Sequence, residues 1–187
     1  QDIVIVAQDT TELDLTRPKV QVDGAGPLDG SSRFGELLHP LVAFTPSGTP
    51  LGTLCAELWT RDFGPSKADD RKTLPIEEKE SLRWLETHKH AQEIAQGHPA
   101  TKFVCVADSE ADIFEVIECD DDSPENFGWI IRSCYDRSLV NEDPHAPCHL
   151  HEQLLQSPVL YNKQFYIRGR EKNLDSDKRS PNQPRVS

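Results

Sequence analysis

The sequence lacks methionine, and it lacks any long apolar run. None of its 187 residues is Met, and its mean hydropathy is -0.60. No stretch approaches the roughly 18 apolar residues that a membrane span requires. The opening residues, QDIVIVAQDT, also lack the basic and long apolar segments of a secretory signal. We therefore expect no membrane association. The missing Met, with a start almost directly on an apolar run, leads us to expect a piece of a longer protein.

Cysteine is sparse, and its spacing excludes the common disulfide and zinc patterns. The chain has five cysteines, which is an odd number, and no two of them form a CxxC pair. Cys105 and Cys134 lie within apolar runs that are typical of strands. The simplest interpretation is a set of reduced thiols in a cytoplasmic protein.

Basic residues are few, because 20 Lys and Arg stand against 32 Asp and Glu, for a net charge of -12. That balance argues against a general nucleic-acid binder, whose surface is normally basic. The charge is uneven: residues 107–125 hold nine acids and no base, whereas residues 161–187 hold seven bases and three acids. A dense acidic zone is typical of a solvated face, or of a site for a divalent cation.

Apolar runs predict an α/β fold with a mixed sheet flanked by helices. Five strands are expected, at 2–8, 35–45, 51–60, 101–107 and 127–134. The segment 46–50 has turn chemistry, so the first three strands can form an antiparallel meander. The later strands are joined by helical crossovers, which imply parallel pairing.

The helices are predicted from their ends. Pro75 is expected to open a long helix that stops at Gly97, and Ser109 is expected to cap a second helix. Residues 16–34 have no periodicity and predict a loop. Beyond residue 137 the pattern weakens to a short helix at 149–156, a strand at 159–169 and a polar tail.

Two of the predicted buried strands are followed by an aspartate. Asp9 comes after the first strand and Asp108 after the fourth. Sites in open α/β sheets gather at the carboxyl ends of strands, so the two carboxylates lie side by side if these strands are neighbours. Two close carboxylates repel each other, and a divalent cation such as Mg²⁺ resolves the repulsion. The alternative is that each aspartate only caps a helix or turns a loop.

Four sequence blocks give this pattern a family resemblance. In order they are QDTTEL at 8–13, GELLHP at 35–40, EKES at 78–81 before Arg83-Trp84, and DSEADI at 108–113. Together they resemble the DDE transposases of bacterial insertion sequences, in the insertion-sequence-four family. The resemblance runs from residue 3 to about residue 137, and more loosely to the end.

The resemblance implies an RNase-H-like fold, a mixed five-stranded sheet flanked by helices, over residues 3–137. It implies that Asp9 and Asp108 are catalytic and bind Mg²⁺ or Mn²⁺, which would serve cleavage and rejoining of phosphodiester bonds at transposon ends. The implied partner is double-stranded DNA, with a possible homodimer assembled on it, in the bacterial cytoplasm.

The chain departs from the family pattern near its end. The family's third acid is a glutamate on a later helix, seven residues after a tyrosine, whereas Glu171 here follows Tyr166 by five. Residues 138–187 are therefore interpreted as the start of an inserted β-rich segment and a mobile basic tail. The family's N-terminal DNA-binding region is missing too. We expect the isolated chain to be inactive on DNA.

Other polar residues have two interpretations each. Arg132 and Arg137 lie where the family places basic residues near DNA, and either a phosphate contact or a surface ion pair fits them. Glu110 and Asp112 are outer ligands or, more simply, solvated acids on a helix. His39 lies in an apolar strand and is interpreted as a satisfied core histidine.

Two other functions stay open at this stage. One is a different RNase-H-like nuclease, which a third acid such as Glu57 on the third strand would favour. The other is a catalytically inactive accessory domain of a mobile-element protein, which predicts that Asp9 and Asp108 lie far apart or face away from each other.

Overall fold

A computed structural model describes most of the chain. The described residues are 2–17, 19–20, 22–30, 32–63, 74–119, 123–140, 148–160, 162 and 164. They fall into two compact units, residues 1–135 and residues 136–187, and each unit is described by itself.

The first unit is built on one mixed sheet. Its described strands are β1 (Ile3–Gln8), β2 (Thr11–Asp14), β3 (Gly26–Pro27), β4 (Phe34–Phe44), β5 (Pro50–Trp59), β6 (Lys102–Ala107) and β7 (Phe127–Ile131). The five longer ones run in the order β5-β4-β1-β6-β7, while β2 and β3 also pair with β4. The expectation of a mixed α/β sheet is confirmed.

The directions of the strands follow the connections between them. The sequential strands β1, β4 and β5 pair antiparallel, as the predicted meander requires. In contrast, β6 pairs parallel to both β1 and β7. The crossover from β5 to β6 carries the long helix, which gives the chain the length it needs to return in the same direction.

Two short strands were not expected. β2 has the sequence TELD, and β3 is only Gly26-Pro27, within the segment predicted to be a loop. Neither has an apolar alternation of its own. Both are strands because β4 offers them hydrogen-bonding partners far along the chain, and local pattern carries no signal of that kind.

The described helices of this unit are α1 (Leu82–Gly97) and α2 (Phe114–Glu118), with 3-10 turns at Ile76–Glu78 and Ser109–Ala111. The predicted start of the long helix at Pro75 is wrong. Pro75 opens the first 3-10 turn, and the backbone of Lys79 is extended, with φ -100° and ψ 148°, so the helix begins only at Leu82. Its predicted end at Gly97 is confirmed.

Asn126 ties together the chain around the end of α1. Its side-chain amide donates to the carbonyl oxygens of Ala95 at 2.8 Å, His98 at 3.1 Å and Thr101 at 2.8 Å. The carbonyl groups at a helix C-terminus have no partner within the helix, so a side-chain donor there supplies a hydrogen bond that the helix itself cannot make. One side chain therefore fixes the helix end and the start of β6.

The core has two parts. The larger part lies between α1 and the sheet and contains Val4, Val6, Leu41, Ala43, Ala91, Ala95, Phe103, Cys105 and Phe127. The smaller part joins Trp84 and Leu85 of α1 to Ala107, Ala111 and Val116. Because Ala107 ends β6, this second cluster holds the chain at the point where Asp108 emerges.

The second unit contains one described helix, α3 (Leu150–Gln156), close to the helix predicted at 149–156. An antiparallel bridge joins Ser138 to His149. Val159 and Leu160 are not in a strand, and most of the strand predicted at 159–169 lies outside the described residues, as does the predicted tail. Across the part of the chain that the structure describes, no helix is long and apolar enough to cross a membrane.

Candidate functional site

The parallel pairing of β1 with β6 brings the two predicted aspartates to one end of the sheet. The register pairs Val6 with Cys105 and Ala7 with Val106. Asp9 and Asp108 each lie two residues beyond this last pair. They therefore follow their strands at the same level of the sheet. The first and fourth long strands are thus neighbours, which is the condition on which the pairing of the two aspartates depends.

Each aspartate accepts a hydrogen bond from a nearby backbone N–H group. Asp9 Oδ1 accepts from Thr10 at 2.8 Å, and Asp108 Oδ1 accepts from Glu110 at 2.8 Å, which caps the 3-10 turn. The capping expectation is thus met for Asp108. This hydrogen bond leaves other acceptor positions on the Asp108 carboxylate, because an ionised carboxylate has about four lone-pair positions.

Glu110 lies in the field of these acids. Partial burial raises the pKa of Glu110, and the nearby carboxylates of Asp108, Asp9 and Asp29 raise it further, while Arg61 lowers it. Like charges disfavour the ionised form of a neighbour, and a bound cation would relieve that repulsion. The carboxyl end of β1 and β6 is therefore a region of concentrated negative charge.

Arg132 lies beside Asp108 as an exposed ion pair. Its Nη2 atom is 3.6 Å from Asp108 Oδ2 and donates to Ser109 Oγ at 3.0 Å, yet 72% of the side chain is exposed. Of the two interpretations, a phosphate contact or a surface ion pair, this geometry is the surface ion pair. The exposure leaves the guanidinium accessible from solvent. Arg137 belongs to the second unit, where its carbonyl oxygen accepts from the Leu150 N–H at 2.9 Å.

Asp112 has a role that neither expectation anticipated. It is only 3% exposed, so it is not a solvated acid. Its Oδ2 atom accepts from the backbone N–H groups of Cys134 at 2.7 Å and Tyr135 at 3.0 Å, and from Ser133 Oγ at 3.4 Å. Asp112 therefore holds the segment after β7 against the turn that carries Asp108.

A cleft of about 490 Å³ opens beside these residues. Its charged lining consists of Glu12, Asp29, Arg61, Glu80, Glu110 and Asp112. Arg61 forms a fork with Glu80, with Nε–Oε1 at 2.6 Å and Nη2–Oε2 at 2.8 Å, and its Nη1 donates to Asp29 at 2.7 Å. These contacts raise the pKa of Arg61, so it stays charged. The sequence offered no signal for this arginine, because its partners are distant along the chain.

Glu57 does not join the aspartates. It lies on β5 opposite His39, and it pairs with Arg83, whose Nε atom is 3.0 Å away. Within the described ranges, no group of three or more His, Cys, Asp or Glu is arranged to hold a metal ion. Glu171, which follows Tyr166 by five residues, lies outside the described residues.

His39 is the satisfied core histidine that the sequence predicts. It is 1% exposed, and its ring packs edge-on against Trp84 with centroids 4.6 Å apart. Nδ1 lies 2.8 Å from Thr10 Oγ1, and Nε2 lies 3.2 Å from Gln8 Oε1. Burial, and to a lesser extent the charge of Arg83, lowers the pKa of His39 to about 4, so the ring is neutral near pH 7.

No protein-family model matches the chain, and no curated protein matches it. The geometry of the site and the sequence blocks that surround it are therefore the observations that bear on function.

We expect Asp112→Ala to lower the free energy of unfolding by about 3 kcal/mol, because two backbone N–H groups lose their buried acceptor. Asp112→Asn keeps one acceptor oxygen and should lose less. Urea denaturation followed by circular dichroism measures both. Glu118→Ala, at an exposed position of α2, is the control and should change stability little. Equal losses in Asp112→Ala and Glu118→Ala would contradict the assigned role.

The buried His39 predicts a pH dependence of stability. Its pKa is about 4 in the folded chain and about 6.5 when unfolded, so only the unfolded chain takes up the proton between these values. The stabilisation is fully present above pH 6.5 and is lost as the pH falls towards 4. The difference in unfolding free energy between the chain and its His39→Phe variant should shrink by up to about 3 kcal/mol from pH 7 to pH 4. A constant difference would show that the ring titrates normally.

Proposed function

We propose that this chain is the catalytic core of a DNA transposase with an RNase-H-like fold. It would cleave and rejoin phosphodiester bonds at transposon ends, with Asp9 and Asp108 as two of three acids that bind Mg²⁺ or Mn²⁺. The observation that carries the proposal is the parallel register of β1 and β6, which brings both aspartates to adjacent strand ends.

The strand order supports the fold part of the proposal. Three antiparallel strands, β5-β4-β1, are followed by β6 and β7, which run parallel to β1. Such a mixed sheet, with one aspartate after the first long strand and one after the fourth, is what the four sequence blocks imply. The blocks at 8–13 and 108–113 contain these two aspartates.

The donor set fits a hard divalent cation. Mg²⁺ is commonly bound by one or two carboxylates together with water and substrate phosphates, so two aspartates are suitable ligands. When bound, the cation would activate water or a 3′ hydroxyl for attack on the phosphodiester and stabilise the leaving oxygen. Asp9 and Asp108 would hold it. The pKa of Glu110 is raised first by burial and then by the carboxylates of Asp108, Asp9 and Asp29, whose charge the cation would offset.

DNA contact needs cationic groups as well as the metal. Arg132 is exposed beside Asp108, and its 3.6 Å pairing is weak enough to be exchanged for a phosphate. We propose Arg132, and Arg137 in the second unit, as phosphate contacts to double-stranded DNA. The net charge of -12 makes further basic surface necessary, which a longer parent protein would supply.

The two other functions are less well supported. A nuclease that uses Glu57 as its third acid is disfavoured, because Glu57 is already paired with Arg83. An inactive accessory domain predicts separated aspartates, whereas Asp9 and Asp108 follow paired strands.

The metal assignment is tested by the anomalous difference map of crystals soaked in Mn²⁺. We expect a peak within about 2.3 Å of carboxylate oxygens of Asp9 and Asp108. Asp9→Asn or Asp108→Asn should remove the peak, whereas Glu118→Gln, on the exposed side of α2, should keep it. A peak that survives in Asp9→Asn and Asp108→Asn would overturn the assignment.

The catalytic assignment is tested in the full-length parent protein. Asp9→Ala or Asp108→Ala should abolish strand cleavage at transposon ends and leave binding to the ends largely intact, because the acids act on the cation and not on the sequence of the DNA. A gel assay for nicked and cut product, with a mobility-shift assay on the same samples, separates the two effects. Cleavage that survives either change would refute the mechanism.

A further inference from the structure

One histidine ring spans the two residues on either side of Asp9. His39 contacts Gln8 through Nε2 at 3.2 Å and Thr10 through Nδ1 at 2.8 Å. Gln8 and Thr10 are the immediate neighbours of Asp9 in the chain. From a different strand, β4, the ring therefore holds the side chains of the residues before and after the aspartate.

The contact between Gln8 and Cys105 sets the direction of the two hydrogen bonds that His39 makes. The Gln8 side-chain Nε2 donates to Cys105 Sγ at 3.6 Å, which turns Gln8 Oε1 towards the ring as an acceptor. His39 Nε2 must then donate to Gln8. In a neutral imidazole the other nitrogen is an acceptor, so the Thr10 hydroxyl donates to Nδ1. With the Gln8 amide oriented in this way, the network has one consistent set of protons.

The network is buried and crosses the sheet beneath the site. His39 on β4, Gln8 on β1 and Cys105 on β6 all point to the face that the core covers. Trp84 of α1 closes over the ring. The buried part of this network, at Gln8, His39 and Cys105, is rigid, because water is not there to replace a broken hydrogen bond. Thr10, at the other end, is half-buried and lines the cleft.

We propose that His39 is a positioning residue for Asp9: as the neutral Nε2–H tautomer, it clamps Gln8 and Thr10 and so orients the Asp9 carboxylate for the metal shared with Asp108. The proposal depends on the proposed function. Thr10 transmits the effect directly, because its backbone N–H donates to Asp9 Oδ1 at 2.8 Å while its hydroxyl is held by the ring. Groups that orient a metal ligand commonly change metal affinity by tenfold or more when they are removed.

The first measurement is nitrogen NMR of the histidine rings in the 187-residue chain, with the His39 signals assigned by their loss in His39→Phe. The clamp predicts a protonated Nε2 and a hydrogen-bonded, unprotonated Nδ1. Thr10→Val should shift the Nδ1 resonance towards that of an acceptor without a donor, and Thr10→Ser should restore it. A ring protonated on Nδ1, or one that does not respond to Thr10→Val, would overturn the clamp without any metal being present.

The second measurement is the Mn²⁺ affinity of the same chain, from paramagnetic broadening of the amide signals of residues 9 and 108. Thr10→Val and His39→Phe should weaken the affinity about tenfold at an unchanged fold by circular dichroism, and Thr10→Ser should recover most of it. Thr49→Val, in the exposed hairpin turn, is the control for loss of a hydroxyl and should have no effect.

The outcomes separate this inference from the proposed function. If Mn²⁺ binds, and Asp9→Asn abolishes binding but Thr10→Val does not weaken it, the positioning role is wrong and the metal site stands. If Mn²⁺ broadens neither signal in the unmodified chain, the metal site fails and the positioning role fails with it, while the ring resonances still decide whether the clamp exists. Weakening by Thr10→Val with rescue by Thr10→Ser supports both.

Discussion

The structure depends on the parallel pairing of β1 with β6. These strands are far apart in the chain. The long crossover that contains α1 allows β6 to run beside β1 in the same direction. Val4, Val6, Phe103 and Cys105 from the two strands form the centre of the main core. Burial of these side chains sets the register, since a slip by one residue would turn each of them to the other face. The same register sets where Asp9 and Asp108 emerge, so core packing and site geometry have one cause.

The site combines concentrated negative charge with a small number of well-placed cations. Arg61 is bound by Glu80 and Asp29, Arg83 by Glu57, and Arg33 by Glu12, so much of the acidity around the cleft is already balanced. The acids at the ends of β1 and β6 are less well compensated, with the exposed Arg132 at 3.6 Å from Asp108. That contrast distinguishes them from Glu12, Asp29 and Glu80 of the cleft, each of which is paired with an arginine. Composition alone leaves two interpretations open, a solvated acidic face and a site for a divalent cation.

The sequence predicted the parts of the fold that depend on local pattern. The five long strands and the end of α1 follow from apolar runs and from Gly97, and His39 follows from the alternation of β4, in which buried and half-buried residues strictly alternate. The start of α1 was misplaced, because Pro75 fits a 3-10 turn as well as an α-helix. β2, Arg61 and the buried Asp112 had no local signal, since each is defined by partners 19 or more residues away. Sequence alone predicts a solvated acid at Asp112, because the segment that buries it follows more than 20 residues later.

Asn126 has a consequence for how the sheet can deform. Its amide joins the end of α1 to the start of β6, at the opposite end of that strand from Asp108. β6 is six residues long, and the buried cluster that contains Ala107 and Ala111 holds its other end. The strand is therefore anchored at both ends, so the sheet has little freedom to bend between Asn126 and Asp108.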